Sequence, residues 1–336
     1  LDSLTHIVLG ACIGEAIAGK QLGKKAMLAG AIVQSIPDID FVSTFWLHDA
    51  GDIIGHRGFT HSIVFGILVT FLLARLVKII FRKRDLSWRT CFLLVGINVF
   101  VHLFIDGFNA YGVGWLEPFS HKRFSLHVLF VADPFFSFWP FLGFMGLLIL
   151  HNSYKRRKIW WKLGLGIAAL YLGYAIVNKI IVTADVRRSI AHSGIDADSY
   201  IITPTPFNSW LWFVAVKDGN GYYISHRSVF DKGDADFTYF PRNDYLKNSV
   251  RNKRELGNMM RFADHYYTFE QRHDTLMLNV LRFGQIVGWY NPKEDFTFYY
   301  YLDRPGSNEV VAQRGRFKNW NRETIKALLN RIAGNK

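Results

Sequence analysis

Four short stretches set imidazole and carboxylate groups among apolar residues: His6 in DSLTH, Asp38 and Asp40 in PDID, His56 and His61 in HRGFTH, and His102 with Asp106 in HLFID. His102 and Asp106 are four positions apart, so on a helix they share one face and can ligate a single ion or bridge two. Asp38 and Asp40 straddle one residue just after Pro37, where a helix ending in an extended turn directs both carboxylates the same way. Seven nitrogen and oxygen ligands without a thiolate suit zinc or another divalent transition ion, and suffice for one or two ions. Singly, each cluster has a plainer reading: a core or interfacial histidine at His6, a loop after a helix at Asp38 and Asp40, a loop residue at His56, a hydrogen-bonded pair at His102 and Asp106. Ionisable groups within a membrane are costly and mark function, which favours the metal reading for all four.

The elements that must hold these groups are apolar. IVFGILVTFLLARLVKIIF, residues 63 to 81, matches the ~20 residues needed to cross a bilayer, and Arg75 and Lys78 lie near one end, where they can snorkel. Thr90 to Asp106, Phe138 to Leu150 and Leu163 to Val182 are further segments bounded by basic or aromatic residues. Residues 4 to 19 and 26 to 37 add two short ones, giving a polytopic α-helical membrane domain over 1–183 with about six membrane segments.

The formal net charge is +13, but residues 184–336 carry 22 Lys+Arg against 17 Asp+Glu, and residues 1–183 carry 18 against 10. Much of the excess sits in Lys20/Lys24/Lys25, RKRDLSWR (82 to 89) and KRRKIWWK (155 to 162), each joining two apolar segments. That distribution is the positive-inside pattern of cytoplasmic loops and argues against a nucleic-acid partner. Alternation then sets all four polar clusters, and everything from Ala184 onward, on the extracytoplasmic side. Counting 14 residues from Lys20 back to His6, 13 from Lys25 to Asp38 and 13 from Arg89 to His102 puts each cluster roughly 20 Å from its basic tract, within the outer leaflet. His61 is 21 residues from Arg82, or roughly 31 Å along a straight helix, so that helix is expected to tilt or to carry His61 higher.

Cys12 and Cys91 lie inside apolar segments as packed thiols, and the N-terminus, with His6 and Glu15 in its apolar part, lacks the pattern of a cleavable signal peptide. From Ala184 the pattern changes. NSWLWFVAV, KDGNG and YYISH read as a hairpin, with further strands in LMLNVLRFGQIVGWY and FTFYYYLD and helices near Asp244 to Phe262 and Arg322 to Ile332. An extracytoplasmic α+β domain over 184–336 is expected, with His192, His226, His265 and His273 scattered in it as ordinary surface or turn histidines.

In order along residues 1 to 150, DSLTHIVLGA, PDID, HRGFTHS, HLFIDGFNAYGV, EPFSHKRFS and ADP resemble the signature of the membrane-bound metal-dependent hydrolase family, described as LexA-regulated inner-membrane hydrolases. That family is thought to be distantly similar to zinc-dependent phospholipase C. The resemblance implies a multi-pass protein of a bacterial inner membrane and supports His6, Asp38, Asp40, His56, His61, His102 and Asp106 as metal ligands. It adds Asp133 of ADP as an extra or outer-shell group, with helix capping as the alternative. The first residue is Leu where the family begins with methionine, and residues beyond 150 are not covered.

A bound divalent ion, zinc foremost, lowers the pKa of its water to about 7 and clamps reacting oxygens. Asp40 is then the candidate general base, and the fork of Arg57 can hold a phosphate. Lys122 and Arg123 can do the same from another loop, or serve as membrane-surface charge. The expected activity is metal-dependent hydrolysis of a lipid-like substrate, foremost a phospholipid phosphoester, with the C-terminal domain as lid or headgroup sensor. The alternatives are ester or amide hydrolysis at the same site, or a metal-binding transporter or receptor. The clustering of polar residues at one end argues against an ion pathway.

Overall fold

The computed structural model describes residues 1–40, 57–151, 156–302 and 319–335. These fall into two compact units, the first running to Tyr174 and the second starting at Ala175. The first contains α1 (Ser3–Leu22), α2 (Lys24–Gln34), α3 (Ile63–Ile80), α4 (Trp88–Asp106), α5 (Pro134–Ile149) and the first half of α6 (Arg157–Ser193).

Side-chain caps start these helices: Asp2, Ser62, Ser87 and Asp133 each accept a backbone N–H from the first turn of α1, α3, α4 and α5. Gly23 breaks α1 from α2 at φ 58, turning the chain into a tight antiparallel hairpin. Its helices touch backbone to backbone, since a Cβ at Gly14 would overlap the Ala26 carbonyl and one at Gly30 would overlap that of Gly10. Leu22, Ala26 and Val33 of the hairpin pack on Val69, Val77, Leu94, Val95 and Val99 of α3 and α4.

Three of the expected membrane segments, α3, α4 and α6, are long and apolar enough to cross a bilayer, and α5 is a shorter apolar helix. The 11 residues of α2 extend only about 16 Å, so this segment packs against its neighbours rather than spanning. α6 is longer than the apolar run that announces it: 37 residues carry it through the expected domain boundary at 184. Its Val182 and Val186 belong to the core of the second unit, beneath Ile202, Trp212, Val214 and Val216.

That second unit is a β-sheet domain with helices. β1 (Ser199–Pro204), β2 (Leu211–Asp218), β3 (Gly221–Ser228) and β4 (Thr238–Pro241) form one antiparallel sheet in chain order. β5 (Tyr267–Arg272), β6 (Thr275–Gln285) and β7 (Phe296–Leu302) form another. The expected KDGNG hairpin closes with Asp218 opposite Gly221. The sheets share a core in which Phe213, Tyr222 and Ile224 meet Tyr266, Leu281 and Phe296. The helix expected from Asp244 divides into a 3-10 turn (Asp244–Ser249) and α7 (Lys253–Phe262), because the Asn252 side chain caps Glu255 N and starts a new helix there. The last helix, α8, spans Arg322–Ile332.

Candidate metal centre

Three stretches of chain converge at one end of the first unit. α2 ends at Gln34 and leads into a 3-10 turn over residues 37–40 that carries Asp38 and Asp40. A second 3-10 turn, Phe59–His61, precedes α3 and carries His61. The last turn of α4 presents His102 and Asp106. The basic residues Lys24, Arg84 and Arg157 lie at the opposite ends of these helices or at the start of α6.

Asp38, His61, His102 and Asp106 bring one ligand atom each to within 4.8 Å of one another, a group that can hold a metal ion. The two Nε2 atoms of His61 and His102 are 3.1 Å apart. Asp38 Oδ1 is 3.5 Å from each of them, and Asp106 Oδ2 is 3.6 Å from His61 and 3.8 Å from His102. A tetrahedral zinc site with bonds of about 2.0–2.1 Å has donor–donor edges of about 3.3 Å. Five of the six edges here lie between 3.1 and 3.8 Å, within reach of that figure after small side-chain shifts.

The surrounding groups fit a cation at the centre. Nδ1–H of His102 donates to the Gln34 carbonyl at 2.6 Å, which leaves the Nε2 lone pair facing the group. Asp106 Oδ2 is wholly buried and receives no hydrogen bond; Arg57 Nε is 3.1 Å away but out of line for one. Two carboxylates and two imidazoles without a thiolate form a hard-to-intermediate donor set with a charge suited to a divalent ion.

The chain matches the family described as YdjM inner membrane protein over residues 1–182. It belongs to the YdjM inner membrane protein family. The matched stretch holds the whole candidate metal centre. Among relatives of this YdjM-family chain, inner membrane protein YbcI of Escherichia coli (strain K12) is 33% identical over 123 residues, 36% of this chain and 69% of that one. The uncharacterized protein YfhP of Bacillus subtilis (strain 168) is 27% identical over 234 residues, 67% of each. No solved structure matches. Family and apolar helices together place the chain in an inner membrane.

The other residues singled out in the sequence have different surroundings. Asp40 stands behind His61: its Oδ2 is 3.4 Å from His61 Nδ1 and accepts from Arg57 N at 2.6 Å and Thr60 Oγ1 at 3.0 Å. That is the position of a carboxylate that orients a ligating imidazole. His6 stacks on His102 with ring centroids 3.9 Å apart and meets Asp106 Oδ1 through Nε2 at 3.1 Å. The Leu1 amine also donates to Asp106 Oδ1. Arg57 is 4% exposed and inward-facing, with NH1 on Asn109 Oδ1 at 2.8 Å, NH2 on the Leu1 carbonyl at 3.1 Å, and its plane over Tyr111. It balances the Asp106 charge, and its fork is engaged by protein.

Asp133 caps α5 through Oδ1 and accepts from the Tyr171 hydroxyl through Oδ2 at 2.9 Å. Burial pushes its carboxyl up to about 6, against these hydrogen bonds. Its capping alternative is thus realised, and it does not join the four-residue group. Lys122 lies over the Phe124 ring on an exposed loop. His56 lies outside the described residues.

His61 reaches His102 without a continuous helix from 61 to 82. Gly66 in the first turn of α3 is level with Phe100 and Leu103, and the chain leaves the helix at Ser62 in an extended conformation. The 3-10 turn then folds His61 back to the group. Sequence reasoning missed the Gln34 carbonyl, Thr60 and Asn109. The last two sit beside flagged residues, in FTH and IDGFN, but a backbone carbonyl leaves no mark in side-chain identity.

Proposed function

We propose that this chain is a metal-dependent hydrolase of membrane lipids, acting foremost on a phosphoester bond. The observation that carries the reading is the convergence of Asp38, His61, His102 and Asp106, one ligand atom each within 4.8 Å of one another, inside an inner-membrane protein. A divalent ion held there supplies Lewis acidity, making water acidic enough to ionise near pH 7 and polarising a substrate oxygen. The chain's own residues do the rest. The Gln34 carbonyl fixes the tautomer of His102, Asp40 and Thr60 set the ring of His61, and Arg57 offsets the charge of Asp106. Asp40, 3.4 Å from His61 Nδ1, is the candidate proton acceptor, reached through that imidazole.

In this reading the metal group lies toward the outer leaflet and the second unit outside the cytoplasm, supported by the basic helix ends opposite the group, which favour a cytoplasmic side. A substrate with a buried tail and a polar head suits that position. Metal analysis of the purified protein, joined to turnover of a panel of phospholipids, lyso-lipids and carboxylic esters, tests the reading. Stoichiometric zinc or another divalent ion with release of a phosphorylated headgroup, lost in His102→Ala, is the expected result. Retained metal with no lipid consumed would sink it. Labelling of Tyr245→Cys by an impermeant thiol reagent in intact spheroplasts tests the orientation.

A further inference from the structure

The loop between α4 and α5 has a fixed base and a projecting tip. Leu126 N donates to the Gly107 carbonyl, Val128 N and Leu129 N donate to that of Phe108, and Val113 and Phe124 exchange both backbone hydrogen bonds. These bonds leave little freedom below the tip. The tip exposes Leu116 at 45% and Phe119 at 85%, the highest exposure of any large hydrophobic residue among the described residues. Lys122 follows in the same loop, its ammonium 5.6 Å from the centroid of the Phe124 ring.

Location identifies what meets this surface. α4 has 19 residues and so is roughly 28 Å long, close to the ~30 Å hydrocarbon core, and the loop begins where the helix ends. A loop rooted there emerges at the level of lipid headgroups. An aromatic wedge with a lysine beside it is the chemistry that this layer takes up, the ring entering among the upper acyl carbons and the ammonium meeting phosphate. We propose that the tip from Leu116 to Lys122 is a membrane-docking lip, inserted into the headgroup layer of the leaflet nearest the metal group, with lipid phosphodiesters as its partner.

The docking stands whether or not the site hydrolyses anything. Its consequence for the site rests on the hydrolase reading. Gly114 N donates to the Arg57 carbonyl and Ile63 N to that of Trp115, so the loop is clipped to the chain on both sides of His61. Headgroups gathered at the tip are therefore held beside the chain segment that supplies a ligand.

The test uses the full chain reconstituted in vesicles of phosphatidylcholine and phosphatidylglycerol. Cys12 and Cys91 are buried, so a cysteine at Phe119→Cys takes an environment-sensitive fluorophore selectively; Leu116→Cys is the second position should the first not fold, and Tyr245→Cys is the exposed control. The expected result is blue-shifted emission at 119, several-fold stronger quenching by lipids nitroxide-labelled on upper acyl carbons than at 245, and weak quenching by aqueous iodide. Lys122→Glu should reduce the lipid quenching and lessen its dependence on phosphatidylglycerol. Iodide quenching at 119 as strong as at 245 would overturn the proposal. So would a blue shift that disappears on dilution of protein in lipid, because the tip would then be covered by a second copy.

Discussion

In the first unit Asp38, His61, His102 and Asp106 converge until most of their facing atoms are 3.1 to 3.8 Å apart. The second unit handles ionisable side chains by pairing. Arg227, 1% exposed, meets Asp185 and Asp231; Arg331 meets Asp231; Arg272 is held between Glu270 and Asp295. Pairs of opposite charge neutralise themselves, whereas carboxylates and imidazoles that face one another in a buried place leave room for a cation between them. The difference therefore separates a unit with a group that could hold an ion from one whose polar groups serve its own fold.

The sharpest way to break that comparison is to remove a ligand. His102→Ala or Asp106→Ala should abolish stoichiometric metal, weakening affinity by more than ~100-fold, beyond the effect typical of an outer-shell change. Arg331→Ala, which breaks a pair in the second unit, should leave metal content unchanged. Elemental analysis of the purified variants decides; equal metal loss in all three would erase the distinction.

Next in size is Asp40→Asn. If Asp40 orients His61 rather than ligating, the protein should keep its metal with affinity or activity lowered ~10–100-fold. Complete loss, matching His102→Ala, would move Asp40 into the ligand set. Thr60→Val should act in the same direction and more weakly, since its hydroxyl is 3.1 Å from His61 Nδ1.

The site was more legible than the fold. Ionisable residues in apolar sequence stand out because membranes rarely tolerate them, and the four-residue spacing of His102 and Asp106 gives a shared face without further information. What side-chain identity does not encode is which carboxylate lies in front of an imidazole and which behind it: Asp38 and Asp40 differ only by two positions on a 3-10 turn. Asp133 shows the same limit, because a cap and a ligand demand the same residue type. In the fold, the strong strand patterns of β2, β3, β6 and β7 were readable. β1, with its terminal Pro204, and the short β4 and β5 were not, because sheet neighbours rather than local pattern hold them. The length of α6 was hidden where NKIIVTADVRR turns polar, since the helix there packs on the β-sheet through a few spaced apolar residues, Val182, Val186 and Ile190.

The α1–α2 hairpin allows a smaller test that separates scaffold from chemistry. Gly30→Val would force a side chain into the Gly10 backbone, and overpacking of this kind costs typically 1–3 kcal/mol. Thermal unfolding in detergent should show the loss in the first unit, with the second unit's melting unchanged. Unaltered melting of the first unit would show that its helices do not touch as described.

The smallest expected effect belongs to the second unit and depends on pH. His226 lines a cavity of about 190 Å³ with Gln285 and Trp289, and burial, aided by the charge of Arg331, pushes its imidazole down to about 3. In the unfolded chain it titrates near 6.5. Between these values the unfolded state binds more protons, so stability is highest above about 6.5 and falls as the pH drops toward 3, by up to a few kcal/mol. Hydrogen exchange of β3 in the full chain, followed from neutral to acidic pH, should show protection lost over that window. His226→Gln, which cannot take up the proton, should flatten the dependence. An unchanged slope would mean that the acid sensitivity resides in the carboxylates paired with Arg227 and Arg331, whose stabilisation is also lost on acidification, as Asp231, held low by Arg331, becomes protonated.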